Sequence, residues 1–132
     1  MRILFYDVNR DTRYKIIEVL ANVGIDWFMC VGSSEELFSL IDDTEPEILI
    51  ISAMPYSMLN LDLIAKVTAI YYPHLNVIAL SNVVDPIELR ELIEAGVLGF
   101  ISISMMETQL NQAIQHVIER RFFFGCLDCC LQ

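Results

Sequence analysis

The densest group of chemically active side chains is Cys126-Leu127-Asp128-Cys129-Cys130. Three thiolates this close can join a zinc site with one further ligand, or take part in redox chemistry. Neither a second Cys-x-x-Cys nor a nearby histidine completes a tetrahedron, and Cys30 falls in a separate apolar run. Incidental thiols in a tail are the simpler reading, and no metal site is expected. Of the two histidines, His74 reads as a loop residue and His116 as the exposed side of the last helix. Neither has a partner that suggests catalysis.

The remaining candidates depend on the elements that position them. Five short runs are almost wholly apolar: residues 3–6, 27–31, 48–51, 77–80 and 100–103. Runs of this kind suit strands covered on both faces. Between them lie segments of helical period, such as Ile16, Val19, Leu20 and Val23, or Leu110, Ala113, Ile114 and Val117. Ser33-Ser34-Glu35-Glu36 reads as a capping box. Asp85-Pro86-Ile87-Glu88 and Ser104-Met105-Met106-Glu107 repeat the start signal. Gly24 and Gly96 fall just past helical runs, where a left-handed residue is wanted. Pro73 stops the helix through Leu63, Ile64, Val67 and Ile70.

Strand and helix therefore alternate five times. The expected fold is α/β: a flavodoxin-like, doubly wound, five-stranded parallel sheet of order 2-1-3-4-5 with helices on both faces. Ligands of such sheets sit at the carboxyl ends of the strands. That directs attention to Asp7 and Val8, Ser52, Ser81 and Asn82, and Ile103 and Ser104.

The 132 residues suit one domain, and 55% hydrophobic content excludes a disordered chain. Eight Lys+Arg against eighteen Asp+Glu give a net charge of −10, which disfavours direct nucleic-acid binding. No apolar run is long enough to span a membrane, and Asp7 interrupts any signal-peptide core. A cytoplasmic protein is expected.

Arg2-Ile3-Leu4-Phe5-Tyr6-Asp7, Pro46 to Ser52, Met54-Pro55, Tyr72 to Ser81 and Glu94-Ala95-Gly96-Val97-Leu98-Gly99-Phe100-Ile101 occur in this order. In order and spacing the chain resembles the receiver domains of bacterial two-component response regulators, in particular those attached to LuxR-type DNA-binding domains. The resemblance covers about residues 2–121 and leaves 122–132 as an aromatic and Cys-rich tail or the start of a linker. Gln132 then falls about where a linker to a DNA-binding domain would begin.

The resemblance implies phosphoryl transfer from a histidine kinase to an aspartate beside Mg²⁺. Such a site needs two acids after the first strand, an aspartate ending the third, a Ser or Thr after the fourth and a Lys in the fifth. Magnesium wants hard oxygen ligands, and phosphoryl transfer is largely positioning and charge neutralisation. Here Asp7 matches the first acid, but Val8 stands for the second. Counting from Pro46 puts Ser52 at the phosphoacceptor position; counting back from Met54-Pro55 puts Ile51 there. Ser81 keeps the Ser/Thr position, Ile103 replaces the Lys, and Phe100 matches the family's switch aromatic. A serine without an adjacent base is a weak nucleophile, and isoleucine cannot offset phosphoryl charge. The expectation is a degenerate receiver: no enzyme, no cofactor, and no Asp phosphorylation.

Each site residue also has a plainer reading. Asp7 suits helix capping, Ser52 the end of a buried strand, and Phe100 a fixed core position. Ser81 remains a candidate for anion binding with the amides of the helix starting at Pro86. A degenerate receiver would work through contact with a protein partner or a second copy. Tyr14 and Ile17 on the first long helix, with Val83, Val84 and Ile87 further on, are the candidate surface. Pairing through the first and fifth helices is what the resemblance implies. The alternative is a flavodoxin-like small-ligand or anion-binding protein. Val8-Asn9-Arg10-Asp11-Thr12 lacks the Ser/Thr/Gly richness of a flavodoxin-type phosphate loop.

Overall fold

A computed structural model describes residues 1–6, 10–52, 58–71, 74–81 and 86–125. The alternation read from the sequence is present. In chain order it gives β1 (Arg2–Tyr6), α1 (Arg10–Asn22), β2 (Trp27–Val31), α2 (Ser34–Thr44), β3 (Ile48–Ser52) and α3 (Met58–Tyr71). Then follow β4 (Asn76–Ser81), α4 (Pro86–Ala95), β5 (Gly99–Ser102), a 3-10 turn (Ile103–Met105), α5 (Met106–Ile118) and β6 (Phe123–Phe124). The sheet is parallel throughout, with order β2-β1-β3-β4-β5-β6.

Central position explains the unbroken apolar runs. Every residue of β3 and β4 is buried, because helices cover both faces. One core lies under α2, α3 and α4 and contains Leu4, Leu49, Ile51, Val77, Ala79 and Phe100. The other lies under α1 and α5 and contains Ile3, Phe5, Ile48, Ile50, Ile78 and Ile101. Alternate residues of each strand feed alternate cores, as the two-residue period of a strand requires. β2 is thinner: it ends the sheet, and only Val31 is fully buried.

Helix termini follow the local chemistry. The Ser33 hydroxyl accepts from the Glu36 amide at 3.3 Å and caps α2. Ser33→Ala is expected to cost about 1 kcal/mol, seen as a lower urea midpoint at unchanged m-value. Gly24 (φ +83°) and Gly96 (φ +112°) close α1 and α4 in the left-handed half of the map. Their successors reach back: Ile25 N–H donates to the Leu20 carbonyl and Val97 N–H to that of Leu92, the six-to-one bond of a Schellman stop. Glu45 ends α2 with φ +48°, a conformation that disfavours a side chain.

Three expectations need correction. Ser104 does not cap α5. It lies in the 3-10 turn with its hydroxyl 3.0 Å from that of Ser102, and the residue before α5 is Met105, which makes no side-chain cap bond. Phe123 and Phe124 add a short sixth strand beside β5 to the five expected. β6 also covers His116, whose ring is half-buried 5.2 Å from that of Phe123, not on an open helix face. Pro73, Asp85 and Cys126 to Cys130 lie outside the described residues.

Candidate functional site

The strand carboxyl ends form the mouth of the sheet. Ser52 closes β3 in register with Leu80, and Ser81 closes β4 in register with Ser102 of β5. All three serines are buried, Ser81 almost wholly. Register fixes their directions. Ser81 and Ser102 share the side of Ala79 and Phe100, toward α2–α4, while Ser52 shares the side of Ile50 and Leu80, toward α1 and α5. The Ser102 and Ser104 hydroxyls form a pair, and Ser102 is a member of the site that the sequence analysis did not single out.

Ile103 begins the 3-10 turn just past β5, and its half-buried side chain packs on the α1/α5 core. Phe100 is buried, with Ala79 beside it on β4 and Phe124 beside it on β6. Asp7, Val8, Val83 and Val84 lie outside the described residues. On the candidate surface Tyr14 and Ile87 are well exposed, at 62% and 67%. Ile17, expected off the core stripe, instead packs against the α1/α5 core.

The described ends of β3, β4 and β5 therefore offer neutral hydroxyls, with a hydrocarbon side chain just past β5. Hydroxyls are poor ligands for Mg²⁺ without carboxylates, and Ile103 supplies no positive charge. Among the described residues no group of three or more His, Cys, Asp or Glu is placed to hold a metal ion. The described strand ends thus lack the carboxylate that the resemblance places at the end of β3 and the Lys that it places in β5.

A second concavity lies at the opposite, amino-terminal end of the sheet. It has a volume of about 560 Å³ and lies between the ends of α2 and α3 and the starts of β3 and β4. On its rim the Tyr71 hydroxyl donates to Asp42 Oδ1 at 2.8 Å, and the Tyr71 ring stacks on Phe38. Burial first, then the hydrogen bond to Asp42 and its negative charge, push the Tyr71 phenol from 10.0 up to about 12. The folded state thus favours the neutral phenol. Its contribution is complete below pH 10 and drains away as pH rises through about 12. Tyr71→Phe is expected to lower stability by about 1 kcal/mol at pH 9. It should also flatten the loss seen between pH 10 and 12, measured as paired urea midpoints of variant and parent. No sequence motif marked this concavity. The run Asp42-Asp43-Thr44-Glu45-Pro46-Glu47 was the visible signal, because acids at a helix carboxyl end oppose the dipole.

No family model matches the chain, and no curated protein does. Solved structures match its fold. The isolated REC domain of RcsB from Salmonella enterica serovar Typhimurium, in the presence of phosphomimetic BeF3-, superposes with a TM-score of 0.82 at 19% identity. That match covers 100% of this chain and 99% of the other. A longer RcsB response regulator from Salmonella typhimurium gives the same TM-score at 19% identity, and the alignment covers 99% of this chain. This chain spans only 66% of the length of that relative. A LuxR-family two-component response regulator from an Aurantimonas species matches at 0.76 and 16% identity, over 92% of this chain and 87% of that one. The chain has the receiver-domain fold of response regulators. Among the described residues no helix is long and apolar enough to cross a membrane.

Proposed function

We propose that this chain is a degenerate receiver domain that signals by contact with another protein, without phosphorylation and without catalysis of its own. The reading rests on one observation: buried Ser52 closes β3, where phosphoryl chemistry requires a carboxylate, and Ile103 follows β5, where it requires a cation. A fold kept intact around such a mouth retains its surfaces, and the exposed Tyr14 and Ile87 are candidates for that contact. The partner is a second copy or another component of a two-component pathway in the cytoplasm. The chain then serves either alone or as the regulatory part of a transcription regulator.

Incubation with acetyl phosphate, or with beryllofluoride and Mg²⁺, tests the proposal by intact mass and by ¹⁵N–¹H spectra. No mass gain and no Mg²⁺-dependent shift are expected. A stoichiometric, hydroxylamine-labile phosphoryl adduct would overturn it. Saturable phosphate binding at Ser81 without Mg²⁺ would favour the anion-binding alternative.

A further inference from the structure

We propose that the concavity at the amino-terminal end of the sheet docks a short basic segment of a partner protein, one carrying apolar side chains between its Arg or Lys residues. The proposal concerns the end of the sheet opposite the mouth and stands independently of how the mouth is read.

The apolar part comes first. Ile41, Pro46 and Leu75 are buried and line the concavity, while Ile70 stands on its α3 side with 62% of its surface exposed. An isoleucine this open beside a ready-made hollow is a docking point for one apolar side chain.

Charge selects the occupant. Asp42, Glu45 and Glu47 line the same hollow, with Asp43 exposed beside them. The last turn of α2 contains no basic residue of its own, and one cation, Arg2, meets its end. The carboxylates outnumber the arginines beside them, Arg2 and Arg120, whose positions are fixed by hydrogen bonds. Arg2 donates to the Thr44 carbonyl at 2.7 Å and lies over the Trp27 ring, and Arg120 donates to Asn76 Oδ1 at 3.0 Å. His74 lines the hollow and is exposed. Glu47 accepts from the Arg2 amide at 3.3 Å, which fixes its carboxylate near the rim. Glu45 bears its carboxylate at a left-handed position that glycine would occupy more cheaply. Carboxylates around an apolar floor complement guanidinium groups that flank a leucine or isoleucine. A nucleic acid is excluded by the sign of the field.

The test uses the full chain, ¹⁵N-labelled, titrated with the peptide acetyl-Arg-Leu-Arg-Arg-Leu-Arg-amide. Saturable shifts confined to residues 41–47 and to Ile70, Tyr71, His74 and Leu75 are expected, with affinity falling about tenfold from low to high salt. The same peptide with serine in place of leucine should bind about fivefold more weakly. Glu45→Lys and Ile70→Ala alter exposed side chains and should fold as the parent does, which thermal melting verifies. Each is expected to weaken binding, Glu45→Lys by about tenfold. Glu18→Lys, an equal charge change on exposed α1, should leave binding within about twofold of the parent. The proposal is overturned by an equal loss with Glu18→Lys, by equal binding of the serine peptide, or by shifts scattered over the acidic surface. Absence of saturable binding overturns it as well.

Discussion

Gly96→Ala is expected to destabilise the fold by about 3 kcal/mol and to lower the melting temperature by about 10 °C. Two causes add. With φ at +112°, a side chain strains the backbone. A Cβ built at this position also meets the Thr68 side chain, with Cγ2 at 2.6 Å and Cβ and Oγ1 at 2.7 Å. Thr68 cannot step aside cheaply. It is β-branched, sits within α3, and its hydroxyl donates to the Ala95 carbonyl at 2.6 Å. Gly24 provides the comparison. Its φ is +83°, yet nothing lies within 4 Å of a Cβ there. Gly24→Ala should therefore cost only the backbone term, about 1–2 kcal/mol. Equal losses in the two variants, measured by urea unfolding, would refute the close contact between α3 and the end of α4.

Phe100→Ala is expected to cost about 4 kcal/mol, a large part of the stability of a domain this size. The ring is 1% exposed and belongs to the core under α2–α4. Phe124 packs against the same core from the neighbouring position on β6. Removing the ring leaves a cavity that β4 and β5 cannot close, because their backbones are fixed by the ladder. Phe100→Leu keeps most of the volume and should cost about 1 kcal/mol. These values separate two roles for the position. A ring that exchanges between buried and exposed rotamers would lose little on truncation, whereas a fixed core ring loses the full amount. A cost below about 1 kcal/mol for Phe100→Ala would show that the ring is not held.

The strands were legible because of where they lie. β3 and β4 are covered on both faces, so their residues had to be apolar without alternation, and length separated them from helices. Ser33 was legible because capping is a local transaction between residues three apart. Ser104 shows the limit of that logic. The same spacing to Glu107 is present, but the hydroxyl lies against that of Ser102, two residues back, and the chain tightens into a 3-10 turn. β6 was hidden because two residues have no readable period; only pairing with Gly99 and Phe100 makes them a strand. At the mouth, Ser52, Ser81 and Ile103 could be placed by counting along strands, while the Ser81–Ser102 neighbour relation needed the register. The acidic hollow joins residues about thirty apart, such as Asp42 and Tyr71, and no linear pattern encodes such a meeting.

β2 marks one margin of the sheet, and among the described residues it borders only β1. Its five residues, Trp-Phe-Met-Cys-Val, include no charge and no proline, and Met29 is 40% exposed. The outer row of amides and carbonyls on such a margin is a template for another extended chain. Short, uncharged, β-prone segments of this composition are also those that stack into fibrils once freed. Asp26, immediately before the segment, is the sole acidic gatekeeper flanking it, with Gly32 on the other side. Loss of its pairing with β1 would free this segment for such association.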